Sequence, residues 1–363
     1  MDPRKADNRE EQSSAVDKAL PWVAAGLGAW IAWRMLQRSR EVSLRGKVIL
    51  ITGGTRGLGL VLARGLADEG AHIVICARDE KELDRAFDEL SAKGGWVMAI
   101  PCDVTDRDQV QAMVDAVLQR WGRIDVLINN AGTISVGPVE TMTLEDYESA
   151  MKTHFWGPLF LIQAVLPGMR ERREGRIVNI ASIGGKISMP HLVPYNASKF
   201  ALVGLSEGLR AELAKDGVYI TTVCPGLMRT GSPRQAFFKG QHRAEYAWFS
   251  ISDSLPLVSM SASEAARQII AACKRGDAEV VLSLPAKMAV TLHDLFPGFA
   301  ARLLDIVNRL LPAPGGVGET AVKGKDSESP FSPSWLTALG DKAAEQNNEL
   351  GPGKWHPSKR FSW

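Results

Sequence analysis

The chain has few cysteines, almost no net charge and no internal repeat. Its cysteines show neither metal-ligand nor redox-pair spacing, which predicts buried thiols in a reducing compartment and no metal site. They are Cys76, Cys102, Cys224 and Cys273. A formal net charge of +2 over 363 residues disfavours nucleic acid as a partner. The apolar content of 45% and charged content of 23% exclude a disordered chain and a protein with many membrane spans.

Long uncharged apolar runs are also scarce, and one lies near the N-terminus. Residues 19–33 carry no charge and are bounded by Lys18 and Arg34. As a helix this run would be about 22 Å long, short of the roughly 30 Å hydrocarbon core, although snorkelling charges and interfacial tryptophans close part of the gap. We predict a polar tail over 1–18 and a membrane-anchor helix over 19–36. A buried or surface-packed helix is the alternative, and the acidic residues before the run argue against a signal peptide.

Basic residues follow the apolar run closely, and Glu41 is the one acidic residue among them. These basic residues are Arg34, Arg38, Arg40, Arg45 and Lys47. Basic flanks favour the cytoplasmic side of a membrane. We therefore predict a membrane-associated protein whose catalytic domain lies on the cytoplasmic side.

Apolar strand-like runs alternate with helix-like segments between residues 44 and 312. The runs cover residues 47–52, 71–76, 96–100, 126–129, 176–180, 218–223 and 279–282. Near-continuous apolar strands of this kind are typical of a parallel sheet that is covered on both faces. Right-handed crossovers then produce a Rossmann-like, doubly wound α/β domain of about seven strands with helices on both faces.

Two segments of this region have alternative interpretations. Residues 227–258 interrupt the alternation and contain several aromatic residues, which form either an apolar lid over a lipophilic substrate or an ordinary packed excursion. These aromatics are Phe237, Phe238, Trp248 and Phe249. Residues 300–311 have the spacing of an amphipathic helix, which we expect to pack on the domain, with contact to a membrane surface as the alternative.

Glycine, proline, serine, lysine and glutamate dominate the chain after Pro312. This composition predicts a mostly extended or disordered tail over residues 313–363. Residues 334–347 have the composition of a short helix of one turn or more around Trp335 and Leu339.

A glycine-rich turn directly follows the first strand. It has the sequence Thr52-Gly53-Gly54-Thr55-Arg56-Gly57-Leu58-Gly59 and leads into a helix that opens at Gly57. Glycines let the backbone approach a pyrophosphate closely, and the start of the helix offers unpaired N–H groups and the positive end of its dipole. The position of this turn between a strand and a helix predicts a dinucleotide site.

The end of the second strand bears on the choice of cofactor. An acidic residue there would bind a ribose 2′-hydroxyl and select NAD, but the chain has Ala77 and Arg78. With Arg56, two cations are available for a 2′-phosphate, since guanidinium binds phosphate through paired hydrogen bonds. We therefore predict a preference for NADP(H), and Asp79 leaves NAD(H) as the alternative.

Tyr195 and Lys199 lie four residues apart at the start of a predicted helix, so that both side chains lie on one face. A neighbouring cation stabilises an ionised phenol, which predicts a lowered pKa for Tyr195. Such a group can exchange a proton near neutral pH. Ser182 follows another strand, thirteen residues upstream of Tyr195.

These motifs together resemble the short-chain dehydrogenase/reductase family over about residues 45 to 285. The matching residues, in chain order, are Thr52, Gly53, Gly57 and Gly59, Asp103, Asn129, Asn130, Ala131 and Gly132, Ser182, Tyr195, Lys199, Pro225, Gly226 and Thr230. The specificity of the resemblance comes from six motifs that occur in order at the expected strand ends.

The resemblance implies the role of each site residue. Tyr195 would be the general acid for a substrate carbonyl, Lys199 would lower the tyrosine pKa and bind the nicotinamide ribose, and Ser182 would polarise the substrate oxygen. Asp103 would contact adenine, and Thr230 the nicotinamide amide. The predicted cofactor-binding residues are Gly53, Thr55, Arg56, Gly57, Leu58, Gly59, Arg78, Asp103, Val104, Asn130, Ala131, Gly132, Tyr195, Lys199, Pro225, Gly226 and Thr230.

One position departs from the family pattern. His154 stands where the family usually has an asparagine that holds a water molecule in the proton relay from the lysine. Histidine can accept and donate through its two ring nitrogens, so it could be a fourth catalytic residue with a different pH dependence. The alternative is a substitution that only supports the turn.

The sequence therefore predicts an NAD(P)H-dependent oxidoreductase that interconverts a carbonyl and an alcohol on a lipophilic substrate such as a ketone, sterol, retinoid or 3-oxoacyl compound. A non-catalytic, cofactor-binding membrane adaptor is the alternative from another functional class. A sugar epimerase fits less well, because the extra length of this chain lies at its two ends. The resemblance also implies a homodimer or a homotetramer.

Overall fold

The computed structural model of the protein describes residue 28, residues 41–92 and residues 94–350. Seven strands form one central sheet in which every pair of neighbours is parallel. They are β1 Val48–Thr52, β2 His72–Ala77, β3 Val97–Pro101, β4 Val126–Asn129, β6 Gly175–Ile180, β7 Val218–Cys224 and β11 Glu279–Val281. Their spatial order is β3-β2-β1-β4-β6-β7-β11. The predicted seven-stranded, doubly wound α/β fold is confirmed.

The strands are apolar on both faces because helices cover both faces. All five residues of β1 are buried. Ile49 and Ile51 of this strand point into one core, whereas Val48 and Leu50 point into the other. The helices up to β7 are α1 Gly57–Asp68, α2 Glu80–Ser91, α3 Arg107–Trp121, α4 Leu144–Met151, α5 Gly157–Arg172 and α6 Val193–Leu213. A π-helical turn, Lys152–Trp156, joins α4 to α5.

The remaining elements lie after β4 and in the C-terminal third of the chain. The strands are β5 Ser135–Val136, β8 Leu227–Arg229, β9 Phe237–Phe238, β10 Ser259–Ser261 and β12 Val322–Lys323. The helices are α7 His242–Ser254, α8 Ala262–Arg275, α9 Leu284–Leu295, α10 Pro297–Leu310 and α11 Ala338–Gln346. Short 3-10 turns occur between several of these elements.

The aromatic residues of segment 227–258, here called the insert, lie in two environments. Phe238 packs in a small core with Tyr246 and Phe249, so this part of the insert is an ordinary packed excursion. Phe249 also lines the large cleft, together with Phe237. The packed interpretation is therefore confirmed for Phe238 and Phe249, whereas an apolar lid over a lipophilic substrate stays a prediction.

The prediction of a mostly extended or disordered tail is wrong for residues 313–350. Strand β12 pairs with β9 of the insert, and α11 packs beside α7 through a close approach of Gly340 to Ser254. The short helix predicted within 334–347 is present as α11. The tail composition hid this packing because small residues such as Gly324 and Gly340 are those that let backbone segments approach closely.

Helix α10 contradicts the expectation that the amphipathic segment 300–311 packs its apolar face on the domain. Of its residues, Ala300 alone is buried. An exposed apolar stripe runs along the helix through Phe299, Leu303, Ile306 and Leu310.

The predicted membrane anchor, 19–36, lies outside the described residues except for Gly28, and so do the polar tail 1–18 and residues 351–363. In the part of the chain that the structure describes, no helix combines the length and the apolar character needed to cross a membrane.

Candidate active site

A cleft of about 1240 Å³ opens along the carboxyl ends of the sheet strands. Ligands bind at this edge of a doubly wound sheet because the strand order reverses there. All four predicted catalytic residues line the cleft, and so does every predicted cofactor-binding residue except Gly59. The structure thus brings together in one cleft positions that lie far apart in the chain.

Gly59 lies behind the glycine-rich turn and shapes it from there. A Cβ atom at this position would lie 2.1 Å from the carbonyl oxygen of Gly53 and 2.6 Å from Asn130 Nδ2. Gly53 itself has a φ of +62°, a conformation that favours glycine. The turn is tied to the loop after β4, because Asn130 Nδ2 donates to the carbonyl oxygens of Thr52 and Gly53, at 3.0 and 3.1 Å.

Thr52 organises the same turn, although the sequence pattern did not single out its side chain. Its Oγ1 accepts hydrogen bonds from the backbone N–H groups of Asn130 and Ala131, both at 3.0 Å. Asn130 and Thr52 therefore join the two loops that line the cleft. The glycine-rich turn beside the start of α1 offers a phosphate the backbone approach and the helix N-terminus that it needs, so the residues present fit a dinucleotide.

The far end of the cleft carries the charges that bear on cofactor choice. The Arg78 side chain is 76% exposed and lies 3.9 Å from Asp103. The Asp79 side chain accepts from the backbone N–H of Glu82 and caps α2, so this carboxylate already has a structural role. Arg56 donates to both carboxylate oxygens of Glu82, at 2.8 and 3.0 Å.

The opposite end of the cleft contains Tyr195 and Lys199 on the first turns of α6. The Lys199 Nζ atom lies 5.6 Å from the centre of the Tyr195 ring and donates to the carbonyl oxygen of Ile180 at 2.8 Å. Ser182 follows β6, and its Oγ accepts from the Gly184 N–H at 3.0 Å. The serine, phenol and ammonium therefore converge on one point of the cleft.

The predicted lowering of the Tyr195 pKa is wrong for the protein alone. Burial raises the pKa of Tyr195 to about 12, and a hydrogen bond with Ser182 offsets part of that rise. Burial also lowers the pKa of Lys199 to about 7, so the ammonium is only partly charged at neutral pH. Desolvation disfavours the charged form of both side chains, so Tyr195 is a protonated phenol and not a phenolate.

His154 lies in the π-helical turn with its ring edge-on to the Tyr195 ring, the two centres 5.4 Å apart. Its Nε2 accepts from the Thr133 N–H at 3.1 Å, and its Nδ1 lies 2.7 Å from Ser198 Oγ. We infer that the neutral ring carries its proton on Nδ1, because Ser198 Oγ itself donates to the Tyr195 carbonyl oxygen at 2.7 Å. Burial and the charge of Lys199 lower the pKa of His154 well below its ordinary value.

Both ring nitrogens of His154 thus form hydrogen bonds with other residues of the protein. This geometry supports the view that the histidine braces the loop of Gly132 and Thr133 against α6. A relay role for His154 stays a prediction.

The cleft has further lining residues that sequence reasoning missed. Asp253 is a buried carboxyl group on α7 whose pKa burial raises to about 7. Met189 and Leu192 add apolar surface to the lining. Asn348 and Glu349 lie beside the glycine-rich turn, at what is here called the phosphate end of the cleft. No local motif marks these positions. The folding of the insert brings Asp253 to the cleft, and the folding of the C-terminal segment brings Asn348 and Glu349 there.

Comparison with known proteins agrees with this geometry. The family model described as short chain dehydrogenase matches residues 47–238. The chain belongs to the short-chain dehydrogenase/reductase family. It is therefore an oxidoreductase, and its cofactor is a nicotinamide dinucleotide.

This chain aligns with most of the length of individual family members. The bovine dehydrogenase/reductase SDR family member 7B is 33% identical over 293 residues, which are 78% of this chain and 89% of the relative. A family member from Burkholderia phymatum, solved with NAD, is 26% identical at a TM-score of 0.62, covering 71% of this chain and 96% of that one. A variant of actinorhodin polyketide ketoreductase, solved with NADPH, is 34% identical at a TM-score of 0.60, covering 67% and 97%.

Proposed function

We propose that the protein is an NADPH-dependent reductase of a lipophilic ketone or aldehyde, which can also run in reverse as an alcohol dehydrogenase. The observation that carries this proposal is the convergence of Ser182, Tyr195 and Lys199 at one end of the cleft. The name of the similar polyketide ketoreductase points to the same reaction type.

The protein residues supply orientation and a proton. The chemistry that a nicotinamide cofactor would supply when bound is hydride transfer. Ser182 donates a hydrogen bond to the substrate oxygen, and Tyr195 transfers its proton to that oxygen as negative charge develops there. With a pKa of about 12, Tyr195 is fully protonated at neutral pH and ready to act as the acid. The ammonium of Lys199 then stabilises the phenolate that is left.

Tyr195→Phe tests this mechanism. Removing the hydroxyl removes the proton donor, so we expect kcat for carbonyl reduction to fall by about 10³-fold, while NADPH still binds with a similar Kd. The substrate panel contains lipophilic ketones, sterols, retinoids and 3-oxoacyl compounds, with NADPH absorbance as the readout. Wild-type rates in the variant would contradict the mechanism, and a wild-type protein that binds NADPH but reduces none of the panel would favour the adaptor function.

The preference for NADPH is part of the proposal and rests on charge. Arg78 is exposed at the end of β2, and the competing carboxylate of Asp79 is used as a helix cap. Arg56 contributes less than the sequence suggested, because Glu82 already neutralises it. The arrangement leaves Arg78 as the main partner for a 2′-phosphate.

We also propose that the protein associates with a membrane, with the catalytic domain on the cytoplasmic side. Two adjacent helices support this. Helix α9 exposes Leu284, Met288, Leu292 and Leu295, and α10 exposes Phe299, Leu303, Ile306 and Leu310. Apolar stripes of this kind suit the headgroup boundary of a bilayer, and they begin beside the cleft, where Ala286 of α9 approaches Gly226.

Cell fractionation tests the membrane proposal. We expect full-length protein to stay with the membrane pellet until detergent is added, and Leu303→Glu with Leu310→Glu to weaken binding to phospholipid vesicles about tenfold. Leu144→Glu changes an exposed leucine on α4, away from these two helices, and is the control. Full-length protein that remains in the soluble fraction without detergent would contradict the proposal.

A further inference from the structure

The C-terminal segment lies across the phosphate end of the cleft. After α11, the carbonyl oxygen of Asn347 accepts from the Gly57 N–H at 2.9 Å. Asn348 Nδ2 donates to the carbonyl oxygen of Thr55 at 2.8 Å. Residues 346–350, here called the strap, thus bond to the same glycine-rich turn that is suited to a dinucleotide phosphate.

Two arginines hold the strap from outside the turn. Arg64 donates to the carbonyl oxygen of Gln346 at 2.9 Å and to Asn347 Oδ1 at 3.2 Å. Arg85 Nε donates to Asn348 Oδ1 at 2.8 Å. The strap is therefore attached by specific hydrogen bonds and does not merely lie near the cleft.

Glu349 places a carboxylate at the start of α1. Its side chain is 2% exposed, and its Oε2 lies 3.4 Å from Arg56 Nε. A Cβ atom on Gly57 would lie only 2.8 Å from Glu349 Oε1. Among the residues that the structure describes, Oε2 has no hydrogen-bond partner. An anionic group in this position is what the positive end of a helix dipole and a guanidinium attract.

We propose that the strap competes with the cofactor, with the Glu349 carboxylate in the place of a dinucleotide phosphate, so that the dinucleotide must displace the strap to bind. The inference rests on the nicotinamide dinucleotide cofactor and is independent of the carbonyl substrate. Arg56 and Gly57 cannot serve the carboxylate and a phosphate at the same position, because two like-charged groups there would repel each other.

The strap is held in a form that a ligand can displace. Burial raises the pKa of Glu349 to about 7, and the nearby Glu82 adds to the rise, so the charged carboxylate is poorly solvated there. That loss of solvation lowers the free energy needed to release the strap. Release would also act on the substrate end, because α11 leads into the strap and packs beside α7, which carries Asp253 and Phe249.

The test compares two truncating variants of the full-length protein. Glu349→Ala empties the place of the buried carboxylate, and Glu345→Ala removes an exposed carboxylate on α11, the helix before the strap, as the matched control. NADPH binding is measured by fluorescence titration. If the strap competes, a larger binding-competent fraction lowers the apparent Kd of Glu349→Ala about five- to tenfold, while Glu345→Ala stays at the wild-type value.

Hydrogen exchange on wild-type protein gives a second readout that depends on no variant. We expect residues 346–350 to lose protection when NADPH binds. An unchanged or higher Kd in Glu349→Ala, or a strap that stays protected with NADPH bound, would overturn the inference and make the strap part of the cofactor site. Failure of the wild-type and of both variants to bind NADPH or NADH would overturn the cofactor assignment and the strap together.

Discussion

The two ends of the cleft are built in different ways. The chemical end, with Ser182, Tyr195 and Lys199, takes its side chains from the loop after β6 and from the start of α6, within eighteen residues of the chain. The phosphate end combines the turn after β1 with a strap that begins near residue 346. The residues of the chemical end are therefore close together in the sequence. The phosphate end combines segments that are far apart in the sequence, and it already holds the Glu349 carboxylate.

The difference shows what short motifs can report. A motif records side chains that a single strand end and helix bring together, and the chemical end is of this kind. A motif cannot indicate that a segment far away in the sequence occupies the site. The phosphate end was predicted as an open anion site, and the structure shows an anion site with its own intramolecular occupant.

The largest effect is expected from a substitution that disrupts the phosphate end of the cleft and leaves the chemical end intact. In Gly59→Ala the new Cβ meets the backbone oxygen of Gly53 at 2.1 Å. We expect the free energy of unfolding to fall by about 3 kcal/mol, with loss of measurable NADPH binding. Thermal denaturation and fluorescence titration measure the two effects.

Gly208→Ala is the control for that variant. Gly208 lies on α6, and a Cβ there would meet nothing within 4 Å. Alanine in an open helical position should stabilise the protein by about 0.5–1 kcal/mol. Equal destabilisation by the two changes would show that the turn has no special requirement for glycine.

The pH dependence of reduction tests the chemical end alone. Lys199 has a pKa lowered to about 7 by burial, so its ammonium is present below that pH and is lost as the pH rises. Tyr195 keeps its proton throughout this range. We therefore expect the single-turnover rate to fall about tenfold between about pH 6 and pH 8. A Lys199→Met variant should be slow and independent of pH, and a wild-type rate that rises with pH would contradict this assignment.

Arg78→Ala sharpens the comparison at the adenosine side of the phosphate end. Loss of an exposed guanidinium should raise KM for NADPH about tenfold and leave KM for NADH unchanged, because only NADPH carries the 2′-phosphate. Initial rates with the two cofactors measure the effect. Arg107→Ala, at the start of α3, is a control for general charge, and a parallel rise in both KM values in Arg78→Ala would contradict the NADPH preference.

His154→Asn has the smallest expected effect. If the ring only braces the loop at Thr133, the change should lower the free energy of unfolding by about 1 kcal/mol through lost hydrogen bonds and alter kcat less than about threefold. Thermal denaturation and a pH–rate profile are the measurements. A much larger drop in kcat with a shifted profile would instead show that His154 relays a proton.

Much of the fold could be predicted because its signals are local. Each apolar strand run matches an observed strand to within a residue or two at its ends, since a strand buried on both faces must be apolar throughout. The tail and α10 were predicted wrongly because their packing depends on contacts that are not local in sequence. Whether Leu303 or Ile306 is buried depends on neighbours that the helix pattern does not contain.

The sequence by itself determined the parallel sheet, the glycine-rich turn and the set of Ser182, Tyr195 and Lys199, because spacing and strand ends specify them. Only the tertiary structure decided the proton state of the site and the contents of the phosphate end. Burial, which no motif encodes, reversed the expected pKa of Tyr195. Packing across nearly three hundred residues brought Glu349 to Gly57, and a contact of that range leaves no local trace in the chain.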